Sequence, residues 1–306
     1  SIPYSDSMGL VLPILIIFIY TKIRYFKYTW MAWFLIAAAS YIGYQIKPQI
    51  FIVFIAICLI KIIMLIRNRL IKKFLKNLIG VAAGVCCAFL ICHIGISSMN
   101  ISIDHEKTFN IQHFFMMGMN PEDMGVWSDT DTTFSGSFKT AAERNKANME
   151  VAVQRIKDMG ASGLAKLLVS KTLTNYSDGT FCWTGEGNFF VDVSEEKNTP
   201  GCSFFRGLYY TKSQSKAGVF YSLWSNFAQM IWLTTLFLRL FSVFKSKNNY
   251  KNILMLSIIG LTLFELIFEA RARYLYTYAP FYIILSVYGM SFFAERIQRH
   301  NRQNNL

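Results

Sequence analysis

Phe268-Glu269-Ala270-Arg271-Ala272-Arg273-Tyr274-Leu275 sets one carboxylate and two guanidiniums between two apolar runs, residues 253–268 and 274–294. Each run is long enough, or nearly so, to cross a hydrocarbon core that takes about 20 helical residues. Charges at the mouth of such a helical hairpin are costly unless they are paired, hydrated or used. The stretch therefore predicts a mainly α, polytopic membrane bundle that presents a charge cluster on one side.

Composition agrees. The chain is 53% hydrophobic, 16% aromatic and only 16% charged, whereas soluble domains run near one quarter charged. Lys and Arg outnumber Asp and Glu by 31 to 18, a balance that by itself would suit nucleic acid. The placement of the basic residues excludes that partner. Apolar runs recur at residues 8–20, 30–46, 49–66, 78–97, 219–244, 253–268 and 274–294, which predicts about seven spans. Every second connection is basic: Lys22, Arg24 and Lys27; Arg67, Arg69, Lys72, Lys73 and Lys76; Lys245, Lys247 and Lys251; and the tail with Arg296, Arg299 and Arg302. By the positive-inside rule these connections and the C-terminus face the cytoplasm. Residues 1–7, Lys47-Pro48, residues 98–218 and Arg271–Arg273 then face outward across a plasma membrane. The expected organisation is four spans in 1–97, an extracytoplasmic loop domain in 98–218, and three spans with a basic tail in 219–306. The chain opens on Ser1 and reads as starting inside a longer protein, with further helices upstream.

The loop domain is expected to be mixed or mostly helical. Thr140-Ala141-Ala142-Glu143 is a capping box ahead of Met149, Val153 and Ile156, and Gly160 is a stop. A second amphipathic helix is expected over 162–176, with Leu164, Leu167, Leu168 and Leu173 on one side. Cys182 and Cys202 lie in this polar segment and could pair if it is extracytoplasmic. The other four cysteines sit in apolar runs and read as buried hydrophobes.

Several residues could carry chemistry. Glu269 and Arg273 are four apart, so on a continued helix they would pair, and Arg271 would either anchor headgroups or join Arg273 in binding a phosphate. Glu265 lies one turn deeper, where an acid near mid-helix costs about 2.5–3.5 kcal/mol. Lys47 is a lone outward lysine, suited to snorkelling or to a further phosphate contact. Asp6 is either a helix N-cap or a general base. Asp129-Thr130-Asp131 has the DxD form that holds a divalent metal in nucleotide-sugar transferases. No strand–helix alternation surrounds it, so no metal or other cofactor is expected. His93, His105 and His113 have no ligand-set spacing, and no nucleophile-elbow, zincin or phosphate-loop signature occurs.

Taken together, the motifs resemble those of bacterial polytopic membrane glycosyltransferases of the GT-C class, similar to protein mannosyltransferases. Glu269-Ala-Arg271-Ala-Arg273-Tyr274 with Pro280 resembles their E-x-R-x-R-Y…P segment. Met117-Gly118-Met119-Asn120, Gly125 and Asp131 resemble an outer-loop MGLN…G…D stretch. Lys171 and Ser177-Asp178-Gly179-Thr180-Phe181 resemble a K…W-x-D-G-x-F stretch, with Tyr176 standing where Trp is frequent. Pro3-Tyr4-x-Asp6 and Lys47-Pro48 also fit. The resemblance implies sugar transfer from a polyprenyl-phosphate donor to a glycan, lipid or protein acceptor at the outer face. It also implies Arg271, Arg273 and Lys47 on the phosphate, Asp6 and Glu269 at the reacting centre, Asp131 and Asp178 in the loop, and a further acid upstream of Ser1. Two other classes compete: an O-antigen-type polymerase, ligase or flippase acting on lipid-linked sugars, and a non-enzymatic receptor or assembly subunit.

Overall fold

A computed structural model describes residues 5–68, 71–99, 104, 106–183, 201, 204, 217–244 and 248–304. Among these residues there is no strand. The helices are α1 Ser5–Gly9, α2 Val11–Thr21, α3 Thr29–Ile46, α4 Phe51–Asn68, α5 Ile71–Ser98, α6 Ile111–Gly118, α7 Asp129–Gly136 and α8 Ala141–Tyr176. They continue as α9 Ala217–Leu240, α10 Asn249–Ile267, α11 Ala272–Tyr276 and α12 Ala279–Asn304. The described part of the 98–218 segment is thus helical.

Among the described residues, four stretches are long and apolar enough to cross a membrane: Pro48–Arg67, Lys76–Ser98, Tyr221–Phe244 and Asn249–Ile267. Three of the seven expected spans stay outside that set, for separate reasons. The apolar helix Ser5–Thr21 is too short. α3 has the length, but its apolar residues are diluted by Trp30, Trp33, Tyr41, Tyr44 and Gln45. The 274–294 run is interrupted: α11 ends at Tyr276, residues 277–278 turn, and α12 begins at Ala279. Pro280 enters its first turn, where a missing N–H breaks no helical bond.

The chain forms two compact units. The first comprises Ser1–Lys171, Ser246–Ala270 and Tyr276–Phe281. Its apolar core includes Ile16, Ile36, Ile50, Ile57, Ile253 and Leu261, all with no exposed surface. In this unit α3 and α5 run parallel and touch through backbone. A Cβ at Gly80 would strike the Trp30 carbonyl, and one at Gly84 the Phe34 carbonyl. Glycines four apart let two helix backbones approach this closely and gain van der Waals contact. Helix α8 is broken inside at Gly160, whose φ of 58° no side chain favours. Its start carries the expected cap, Thr140 Oγ1 accepting from the Glu143 N–H at 3.3 Å.

The second unit comprises Thr172–Lys245, Arg271–Leu275 and Tyr282–Leu306. Here α9 and the main part of α12 also run parallel. Trp232 packs edge-on against Tyr282 at 5.1 Å and Phe241 on Phe293 at 4.4 Å between ring centroids. Gly289 lies between these contacts, directly against the Leu238 carbonyl.

The α3–α5 seam makes a sharp prediction. Gly84→Leu should destabilise the protein by about 1–3 kcal/mol, the range for an overpacked site, when unfolding is followed in mixed micelles. Gly95→Ala, where a Cβ meets nothing within 4 Å, should be neutral or slightly stabilising. Equal behaviour of the two variants would refute the seam.

Candidate functional site

In the first unit, ionisable side chains gather where the connections lacking basic runs meet: the start of α1, the α3–α4 turn and the end of α10. The most constrained is Lys171, which has no exposed surface. Its ammonium donates to three backbone carbonyls: Gly118 at 2.8 Å, Leu266 at 2.8 Å and Phe268 at 2.7 Å. These carbonyls belong to the last turns of α6 and α10, ends that have no intrahelical donors and carry the negative pole of the helix dipole. One lysine thus caps two helices. A Cβ at Gly118 would meet the backbone of Ile267 and Phe268, and Gly125, with φ of 71°, lies against Gly118 O and the Lys171 stem. The Ala270 N–H donates to Gly125 O at 2.8 Å, so the 118–125 turn and the 266–270 segment are stitched together.

Glu265 and Glu269 are buried around this knot. Burial pushes Lys171 down to about 7, while both carboxylates pull its pKa upward. The three carbonyl contacts use all the donors of an ammonium.

Asp6 and Lys47 form a buried ion pair between α1 and the residue after α3. The adjoining Gln49 carbonyl accepts from the Tyr278 hydroxyl at 2.7 Å. Leaving either charge of such a pair without its partner costs about 3–5 kcal/mol, so the contact fixes the α1–α3 geometry. Asp6 lies in the first turn of α1 and is tied to Lys47, and among the described residues its carboxylate makes no capping bond.

Glu269 and Arg273 do not share a helix. α10 ends at Ile267, Phe268 is extended with φ −101° and ψ −173°, and α11 starts at Ala272. The continued helix that would set them one turn apart is therefore not formed, because the chain leaves the helix to meet Gly125. Arg271 and Arg273 are half-buried.

Asp131 has a structural post. Arg155 grips it with two hydrogen bonds of 2.7 and 2.9 Å while also donating to Met116 O at 2.9 Å. Asn120 Nδ2 adds a bond to Asp131 at 3.1 Å. Its neighbour Asp129 is exposed, and no group of three or more metal-ligating side chains is found among the described residues. Asp178 organises a turn, accepting from the Thr180 N–H, the Thr180 hydroxyl and the Cys182 N–H at 2.6–2.8 Å. Gly179 lets that turn touch the backbone of Ala228 and Gln229 on α9. Cys202 lies outside the described residues, and so does its pairing with Cys182.

Tyr278 and Arg155 take part in these networks without having been singled out from sequence, while Lys171 and Glu265 were noted there without a structural role. For Lys171 a signal was there: it stands four residues after buried Leu167 and four before buried Asn175, a cation on the packed face of an amphipathic helix.

Residues 1–292 match the family described as conserved hypothetical integral membrane protein. The chain belongs to that family. No curated protein and no solved structure matches it.

Lys171 links this arrangement to pH. Its ordinary value is 10.5 and its folded value about 7, so between these pH values the unfolded chain holds a proton that the folded chain has released. Stability should therefore climb as pH rises through that window. Lys171→Met should remove that slope and destabilise the protein at pH 6, as followed by thermal unfolding in detergent. A wild-type profile that is flat or falling between pH 7 and 10 would contradict the assignment.

Proposed function

We propose that this integral membrane protein is a glycosyltransferase of the bacterial plasma membrane. It moves a sugar from a polyprenyl-phosphate donor to a glycan, lipid or protein acceptor on the face opposite the basic loops. The observation that carries the reading is the gathering of Asp6, Lys47, Glu265, Glu269 and Lys171, buried, where the non-basic connections of one unit meet. Motifs far apart in sequence, Asp6 and Lys47-Pro48 on one hand and Met117–Gly125, Lys171 and Glu269 on the other, are built into that region.

In the proposed step the acceptor hydroxyl oxygen forms a bond to the anomeric carbon as the bond from that carbon to the phosphate oxygen breaks. The electron pair leaves with the lipid phosphate and the acceptor proton passes to a carboxylate. Lys47 pairs with the Asp6 carboxylate in the resting protein. An incoming phosphate competes for Lys47, which frees the Asp6 carboxylate for that proton. Arg271 and Arg273, two and four residues beyond Glu269 in the sequence, supply further positive charge to the departing phosphate.

In the full-length protein, Arg273→Ala should lower sugar transfer from a radiolabelled polyprenyl-phosphate donor in membranes by about 10²-fold or more, the scale of losing one charge-stabilising donor, with an unchanged melting temperature. Asp6→Asn should act in the same direction. Unimpaired transfer in Arg273→Ala would sink the assignment. Glu269→Gln separates the classes: an enzyme of this kind loses turnover, whereas a receptor would keep its partner binding.

A further inference from the structure

Where the basic connections leave the first unit, there is a cavity of about 410 Å³ lined by Tyr20, Lys61, Met64, Asn248, Asn249 and Tyr250. That volume falls in the range of small-molecule sites. Among its described lining residues the one charge is the Lys61 ammonium, which lies over the Tyr20 ring at 5.2 Å, and the Tyr250 ring meets Tyr20 edge-on at 5.8 Å. Lys61 enters no ion pair among the described residues. The sequence explains why: no Asp or Glu occurs anywhere in residues 7–103 or 219–264, so α2, α4 and the first four turns of α10 offer no carboxylate, and Glu265 stands at the far end of α10. The amide of Asn249 reaches only the Met64 sulfur, at 3.5 Å, a weak acceptor. α10 starts in the wall of the cavity and adds the positive end of its dipole.

A cation inside a span with no protein counter-ion calls for an anion from outside. We infer that this cavity binds the phosphate headgroup of an anionic phospholipid. Lys61 pairs with the phosphodiester, and Asn248, Asn249 and the tyrosine hydroxyls take the polar headgroup. The apolar surroundings favour a lipid over a soluble phosphate. Ile63 and Ile66 on α4 are 61% and 75% exposed and Phe18 on α2 is 56% exposed, so acyl chains have an apolar track leading away from the headgroup. Basic pockets between spans on the positively flanked side are a known way for proteins to hold acidic lipids. This site is independent of the transfer chemistry proposed above and uses none of its residues.

The test is lipid retention by the purified full-length protein, read by native mass spectrometry from nanodiscs of phosphatidylglycerol with phosphatidylcholine. Wild type should retain one phosphatidylglycerol in preference to phosphatidylcholine. Lys61→Met should weaken that retention about fivefold or more, the scale of one basic residue at a membrane surface. Lys61→Arg should keep it, and Lys107→Met, an exposed loop lysine, should leave it unchanged. Should Lys61→Met fail to fold, Tyr250→Leu reports on the same cavity and should also weaken retention. Equal retention of the two lipids, or full retention in a folded Lys61→Met or Tyr250→Leu, would overturn the site. Displacement of the lipid by millimolar sn-glycerol 3-phosphate would overturn the lipid assignment in favour of a soluble phosphate.

Discussion

The constraint on which the first unit turns is that helix C-termini buried away from water need donors, and here Lys171 supplies them. The ends of α6 and α10 share one ammonium, and two glycines keep the backbones close enough for it to reach both. A single cation so placed settles unsatisfied carbonyls on two helices while standing in the field of Glu265 and Glu269. The extended Phe268 and the Ala270–Gly125 bond follow from the same stitch.

The other buried charges obey the same economy. Asp6 and Lys47 neutralise one another, Asp131 is held by Arg155 and Asn120, and Arg144 donates to the carbonyls of Glu106 and Thr108. His113 is a neutral variant. Its Nδ1 bonds to Ser135 at 2.7 Å, Ser135 donates to Asn148, and burial pushes the imidazole pKa down. Each of these groups avoids desolvation cost by meeting a partner at short range.

Long features with a period were legible in the sequence. The spans at α4, α5, α9 and α10 follow from apolar length, and the Thr140 cap and the Gly160 break follow from local chemistry. Features set by contact between distant segments were hidden. Nothing near Phe268 announces that the helix ends there, because the reason is Gly125, far away in the chain. The DxD stretch has the same form whether Asp131 faces a metal or Arg155. Gly80 and Gly84 passed as ordinary members of an apolar run, although their spacing is that of a helix-contact motif. The break between α11 and α12 was marked by Pro280, but hydropathy alone carried the run straight through it. Of the candidate site, Asp6 and Lys47 were legible as lone charges at span ends and Glu265 and Glu269 as costly acids, while their partners had to come from the fold.

The α3–α5 seam has a consequence for how the unit is assembled. Both helices point the same way, so α4 must be laid down in the opposite sense before the two can meet. As the chain leaves the ribosome, the ridge of α3 around Trp30 and Phe34 is therefore uncovered throughout the synthesis of α4. The seam closes only when the two glycines of α5 arrive, so the N-terminal part of the unit is completed backwards, by its last helix settling onto an earlier one.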